Sequence, residues 1–183
     1  APLAAVFALL LGGALAYETM AFADPELLSI QLADRGAGLW LRANTPEDAV
    51  AASWDAGATG YFSHRRVMNL DGLVSSKQFY DASANGQQGA FLACRGMAFL
   101  TNHGGNDARE EESMRDFIRS VYGEEAARDA RVVYRAPFRY SGTTTGSAGT
   151  DSSGSRELAS WVVEVPAAAV RAAGPGGAAE RCP

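Results

Sequence analysis

Three short apolar runs, at residues 49–53, 66–70 and 97–101, are separated by stretches whose apolar residues recur at helical spacing. Runs of about five residues fit buried strands. Strands that alternate with helices imply βαβ units, because a parallel neighbour can be reached only through a crossover. The chain is therefore expected to be α/β, with a small, mostly parallel sheet and flanking helices. One helix should precede the first strand. Asp24-Pro25-Glu26 combines an N-cap, a proline pre-set for the first helical position and an acid favoured by the helix dipole. Leu27, Leu28, Ile30, Leu32, Leu39, Trp40 and Leu41 supply its apolar face, Gly36 and Gly38 weaken its middle, and Asn44-Thr45-Pro46 ends it. Residues 76–84 and 87–95 read as helices between the second and third strands.

Past the third strand, Met114, Phe117, Ile118 and Val121 recur at helical spacing within the charged segment 107–122, as in an amphipathic surface helix. The β-rich runs 131–140 and 157–165 read as a C-terminal β-hairpin added to the sheet. Between them, residues 141–155 are almost wholly Ser, Thr and Gly, a composition that cannot offset its own ordering entropy and so predicts a mobile loop. A Gly-rich phosphate cradle is the alternative, but no Gly-Lys-Ser/Thr follows to supply its cation. The expected organisation is the end of a transmembrane helix at 1–20, an extracytoplasmic α/β domain at 24–166 and a flexible tail at 167–183.

The first expectation rests on an uncharged stretch from Ala1 to Tyr17 that carries Leu3, Val6, Phe7, Leu9, Leu10, Leu11 and Leu15. It reads as the end of a longer membrane span, with a signal-peptide core and a buried helix as alternatives. Glu18, Asp24 and Glu26 precede the first cation, Arg35, so no Lys/Arg cluster marks a cytoplasmic face. The chain has two cysteines, Cys94 and Cys182, in unlike surroundings. Two independent thiols are expected, and a disulfide is the alternative. A net charge of −5 without any Lys/Arg stripe excludes nucleic acid as a natural partner.

Candidate chemistry is confined to 55–71. Asp55 follows a strand end, where α/β folds place ligand-binding turns, and Gly57-x-x-Gly60 follows it without the third glycine of a dinucleotide fingerprint. The structural reading makes Asp55 a helix cap and the two glycines packing residues. His64-Arg65-Arg66 is the one local concentration of positive charge; beside Asn69 and Asp71 it suits an anionic group such as a lipid-linked phosphate, or else it is a solvated turn. Asp55 and Asp71 form a candidate carboxylate pair at two strand ends, for acid/base work or as turn residues. His64 and His103 have no metal-ligand spacing, and no nucleophile elbow is present. No catalytic residue, metal or cofactor is assigned.

The run from Trp40-Leu41-Arg42-Ala43-Asn44-Thr45-Pro46 through Trp54-Asp55-Ala56-Gly57-Ala58-Thr59-Gly60-Tyr61-Phe62-Ser63 to Asn69-Leu70-Asp71-Gly72-Leu73-Val74 resembles the C-terminal extracytoplasmic domain of bacterial polytopic GT-C-type glycosyltransferases. That group includes the dolichyl-phosphate-mannose protein mannosyltransferases and the aminoarabinose transferases. The likeness covers residues 1–101, and Ser75 stands where the family commonly has Asn. It implies a domain that follows the last transmembrane helix, on the outer side of the bacterial inner membrane. It further implies a polyprenyl-phosphate sugar donor, a carbohydrate or protein acceptor, and a catalytic acid in an early loop far upstream. This domain would then support the membrane site or recognise the acceptor. The alternative is a non-catalytic, secreted or membrane-anchored module that binds carbohydrate or protein.

Overall fold

The computed structural model describes residues 25–72, 75–140 and 156–173, together with residues 6, 7, 10–13, 15, 16, 143, 144, 152 and 153. Helix α1 (Pro25–Asn44) leads into strand β1 (Val50–Ser53), helix α2 (Ala56–Ser63) and strand β2 (Arg66–Asn69). Helices α3 (Lys77–Ala84) and α4 (Gln88–Cys94) cross to strand β3 (Met97–Gly105). Then come α5 (Ala108–Tyr122), α6 (Glu124–Asp129), β4 (Arg131–Tyr140), the two-residue strands β5 (Thr143–Thr144) and β6 (Ser152–Ser153), β7 (Arg156–Glu164) and α7 (Ala167–Ala173).

The main sheet has the order β2-β1-β3-β7-β4. It is α/β as expected, but mixed instead of mostly parallel: β1 pairs with β2 and β3 in parallel, while β7 pairs with β3 and β4 in antiparallel fashion. Nor is the C-terminal hairpin a mere edge addition. Strand β7 lies inside the sheet, and its alternation buries Trp161 and Val163 on one face and Val162 on the other. Burial on both faces makes three layers. Helices α1 and α2 cover one side, where Ala37, Leu41, Ala51, Phe99 and Val162 meet. On the other, Leu92, Met97, Leu100, Met114, Ile118 and Trp161 form the larger core under α3 to α7.

The buried stripe of α1 differs from its leucine-rich reading. Ala33, Asp34, Ala37 and Leu41 are buried, whereas Leu32 and Leu39 face outward. Small residues win the inner face because α2 comes so close: a Cβ on Gly38 would lie 2.8 Å from the Thr59 carbonyl. Gly38 therefore serves packing between helices, and Gly36 leaves room for the Tyr134 hydroxyl of β4, which a Cβ there would meet at 2.6 Å. Gly57 meets nothing, and Gly60 would place a Cβ in ordinary contact with Val67, so the packing role expected of that pair is corrected.

Residues 6, 7, 10–13, 15 and 16 are helical, and Val6, Phe7, Leu10, Leu11 and Leu15 are all more than half exposed. Among the described residues no helix is long and apolar enough to cross a membrane. The first seven residues of the expected tail form α7, with Ala169 and Val170 packed on the larger core, and 174–183 lie outside the described residues. So does most of the expected mobile loop, within which β5 and β6 pair. Cys94 is disulfide-bonded, which corrects the expectation of independent thiols; Cys182 lies outside the described residues.

Candidate functional site

Register builds the site. Ser53 of β1 pairs with Asn69 of β2 on one side and with Thr101 of β3 on the other, so these three residues form a row across the parallel half of the sheet. Two residues further along each segment stand Asp55, Asp71 and His103. The intervening Trp54 and Leu70 turn into the larger core, and the Leu70 N–H bonds to the Ser53 carbonyl at 2.9 Å, which ties the two loops together. The connection from β1 runs to one side and that from β2 steps back over it to β3, so the gap between β1 and β3 is a topological switch point. Ligands of open α/β sheets bind at the carboxyl ends of the strands there.

His103 lies on the face that Phe99 shares and α1 covers, and there it meets Asp34. The ring Nδ1 is 3.1 Å from Asp34 Oδ1, and Nε2 is 3.5 Å from Asp55 Oδ2. The Asp34 side chain is 8% exposed, that of His103 18% and that of Asp55 64%. A buried carboxylate thus holds the inner nitrogen while an exposed one faces the outer. Asp34 is itself held in place, since its carbonyl accepts from the Thr59 hydroxyl at 3.4 Å. With both ring nitrogens facing carboxylates, the doubly protonated imidazolium suits the site best. The hydrogen bond to Asp34 raises the pKa of His103 above its usual range. Burial opposes the rise, and the charges of Asp34, Asp55 and Glu110 add to it.

Two more carboxyls complete the cluster. Asp71 is raised above the usual carboxylate range, first by desolvation and then by repulsion from Asp55, with His103 pulling the other way. Glu110, on α5, accepts from the Asn102 amide at 2.8 Å and lies over Gly104, where any Cβ would meet its carboxylate. Ser160 of β7 is the antiparallel partner of His103, and its hydroxyl is buried without a hydrogen bond. Full burial excludes it as a nucleophile.

The expected residues separate into three groups. Asp55 and Asp71, open between an acid/base pair and turn residues, lie near enough for the Asp55 charge to add to desolvation in raising the Asp71 pKa. Asp55 occupies the N-cap position of α2 but its side chain makes no capping bond; the carboxylate faces His103 instead. Asn69 organises the turn, its Oδ1 accepting from the Asp71 N–H at 2.7 Å. His64, Arg65 and Arg66 stand at the opposite, amino end of β2. His64 takes the left-handed C-cap of α2 at φ 52°. Arg65 donates to the Arg42 and Thr45 carbonyls, both at 2.8 Å, and to the Thr45 hydroxyl at 3.1 Å. Its fork closes the C-terminus of α1, where orphan carbonyls and the dipole both favour a cation. Arg66 is exposed and has no ion pair among the described residues.

Sequence reasoning missed Asp34, His103 and Glu110. For Asp34 a signal was present: a carboxylate sits on the buried stripe of α1, three residues before Ala37 and seven before Leu41. Among the described residues, no group of three or more His, Cys, Asp or Glu side chains is arranged to hold a metal ion.

The fold and site define an α/β domain of three layers with an imidazole–carboxylate cluster at the carboxyl ends of its parallel strands. The chain belongs to a family described as a domain of unknown function, DUF8728, whose model matches residues 25–139. That span holds the whole cluster. No curated protein and no solved structure matches the chain.

Proposed function

We propose that this chain is the extracytoplasmic domain of a multi-pass bacterial membrane glycosyltransferase that uses a polyprenyl-phosphate sugar. Its own role is to recognise the acceptor. The observation that carries this role is the line Asp34–His103–Asp55, with Asp71 beside it, at the switch point of the sheet. Several carboxylates around a single histidine repel phosphate, but they accept hydrogen bonds well from the hydroxyls of a carbohydrate or from a cationic group. Acceptor recognition therefore fits the cluster, and binding of the donor phosphate does not.

The membrane setting draws its support from three further features. The helical residues near the start expose Val6, Phe7, Leu10, Leu11 and Leu15 to solvent. Leu32 and Leu39 on α1 are exposed as well. The disulfide at Cys94 fits an oxidising compartment. A second reading, a non-catalytic carbohydrate- or protein-binding module, is favoured by Tyr61, which is 75% exposed on α2 and stacks edge-on against Phe62.

Two measurements separate the readings. Neutral oligosaccharides titrated into the full chain should shift the His103 ring resonances, and Asp55→Asn with Asp71→Asn should abolish the shift. If the double variant responds like the wild type, the acceptor site is elsewhere. The native product in membrane fractions, with the reading frame ahead of Ala1, decides the setting. Many apolar spans with an acidic first loop support the transferase, whereas a nearby start with a short basic segment leaves the secreted module.

A further inference from the structure

We propose that the cavity along the free edge of β2 is a binding site for a phosphoryl oxyanion. The cavity is about 270 Å³ and is walled by Arg66 and Asn69 of β2, Ser76 and Gln78 at the start of α3, Arg95 after α4, and the Phe79 and Phe91 rings. Among the described residues no carboxylate lines it. In a chain of net charge −5, neither Arg66 nor Arg95 has an ion pair among the described residues, and Arg66 donates to the Arg95 carbonyl at 3.4 Å. Two uncompensated guanidinium groups on one cavity are the electrostatic complement of an anion.

Arg95 is built for such a role. Its guanidinium sits 5.0 Å from the Phe91 ring centroid and donates to Gln78 Oε1 at 3.3 Å, which fixes its plane. Its Nε is nevertheless buried with no acceptor, and a buried donor without a partner carries a desolvation cost that an oxyanion would remove. Asn69 is oriented by accepting from the Asp71 N–H, so its amide nitrogen is free to donate. The Ser76 hydroxyl accepts from the Phe79 N–H at 3.2 Å and keeps its own proton for a ligand. These donors belong to three separate elements, an arrangement that suits a tetrahedral group with three acceptor oxygens better than a planar carboxylate, which fills one fork.

This site does not rest on the acceptor reading, because the carboxyl-end cluster and the β2-edge cavity take groups of opposite charge. The test is calorimetric titration of the full chain in non-ionic detergent, at ionic strength held constant with chloride, using inorganic phosphate, hexyl phosphate and acetate as probes. Saturable binding of a phosphate probe is expected, with acetate weaker. Arg66→Gln and Arg95→Gln should each weaken phosphate about tenfold, as for loss of one charge-assisted hydrogen bond. Lys77→Gln, which removes the same charge from an exposed residue paired with Asp81, should bind like the wild type. Tighter hexyl phosphate would assign a phosphate ester seated on the apolar wall, and equal affinity the free oxyanion. Arg66 is exposed, so its variant tests the site even where Arg95→Gln lowers stability. The proposal is overturned if neither phosphate probe saturates, or if Lys77→Gln costs as much as Arg66→Gln.

Discussion

The two ends of strand β2 hold opposite chemistry although they are separated by only four residues. Beyond its carboxyl end, Asp71 joins Asp55, His103, Asp34 and Glu110. At its amino end, Arg65 and Arg66 stand side by side and do different things. Arg65 closes the C-terminus of α1 with a fork of hydrogen bonds, while Arg66 lines the edge cavity, donates to the Arg95 carbonyl and has no ion pair among the described residues. The lesson is that like charges adjacent in sequence are sorted by what their neighbours can satisfy. Consecutive strand residues point to opposite sides, so one of two adjacent cations reaches a helix end and the other reaches the open edge.

Four perturbations would break or sharpen this contrast. The largest effect is expected from Asp34→Ala, which strips the buried partner from His103 and should cost about 3 kcal/mol, the range for breaking a buried ion pair from one side. A shift of the urea midpoint would measure it, and a loss below about 0.5 kcal/mol, the scale of an ordinary surface change, would mean that the pair does not hold α1 to β3.

Next comes the arginine pair. Arg65→Ala should cost about 1–2 kcal/mol through the uncapped carbonyls of α1, and Arg66→Ala should stay within about 0.5 kcal/mol. Equal losses from the two would erase the distinction drawn between them.

The third effect is a pH dependence confined to the acidic end. Because folding raises the pKa of His103 above 6.5, the stabilisation from its proton is complete below that value and fades as pH rises through the folded-state pKa. Unfolding midpoints of the wild type should fall across that window, while those of His103→Gln should stay flat. Asp55→Asn should move the His103 titration, followed by NMR, toward lower pH; a move upward would contradict the closeness of the two groups.

The smallest effect concerns Ser160. Removing a buried hydroxyl that has no partner should leave stability unchanged or raise it by up to about 1 kcal/mol. A clear loss in Ser160→Ala would show that the hydroxyl is satisfied after all, through its neighbour His103.

Much of this architecture was legible beforehand. The strands at 50–53, 66–69 and 97–105 and the helices between them lie close to where the apolar runs and helical spacings put them, because each rests on local periodicity. Asp55 and Asp71 were legible as a pair for the same reason, each following a strand by two residues. Less legible was the direction in which charged groups turn. Asp55, open between a cap and a ligand-turn carboxylate, is aimed at His103; Arg65, open between a phosphate ligand and a solvated turn, closes the C-terminus of α1. The inner face of α1 was less legible because leucines suggest burial by hydrophobicity alone, while the close approach of α2 requires a small residue at Gly38 and leaves Leu32 and Leu39 outside, with Leu41 buried.

By itself the sequence determined the α/β class, the order of its elements, the strand-end carboxylates and the apolar character of residues 1–17, all of which follow from side-chain period and local composition. Only the tertiary structure decided that β7 runs inside the sheet, that Asp34 crosses from α1 to His103 over 69 positions, and that Arg66 and Arg95 share one cavity. The physical reason is that hydrogen bonds and ion pairs act over a few ångströms in space and are indifferent to separation along the chain. A residue's partner is therefore set by sheet register and helix packing, neither of which is written in its own neighbourhood.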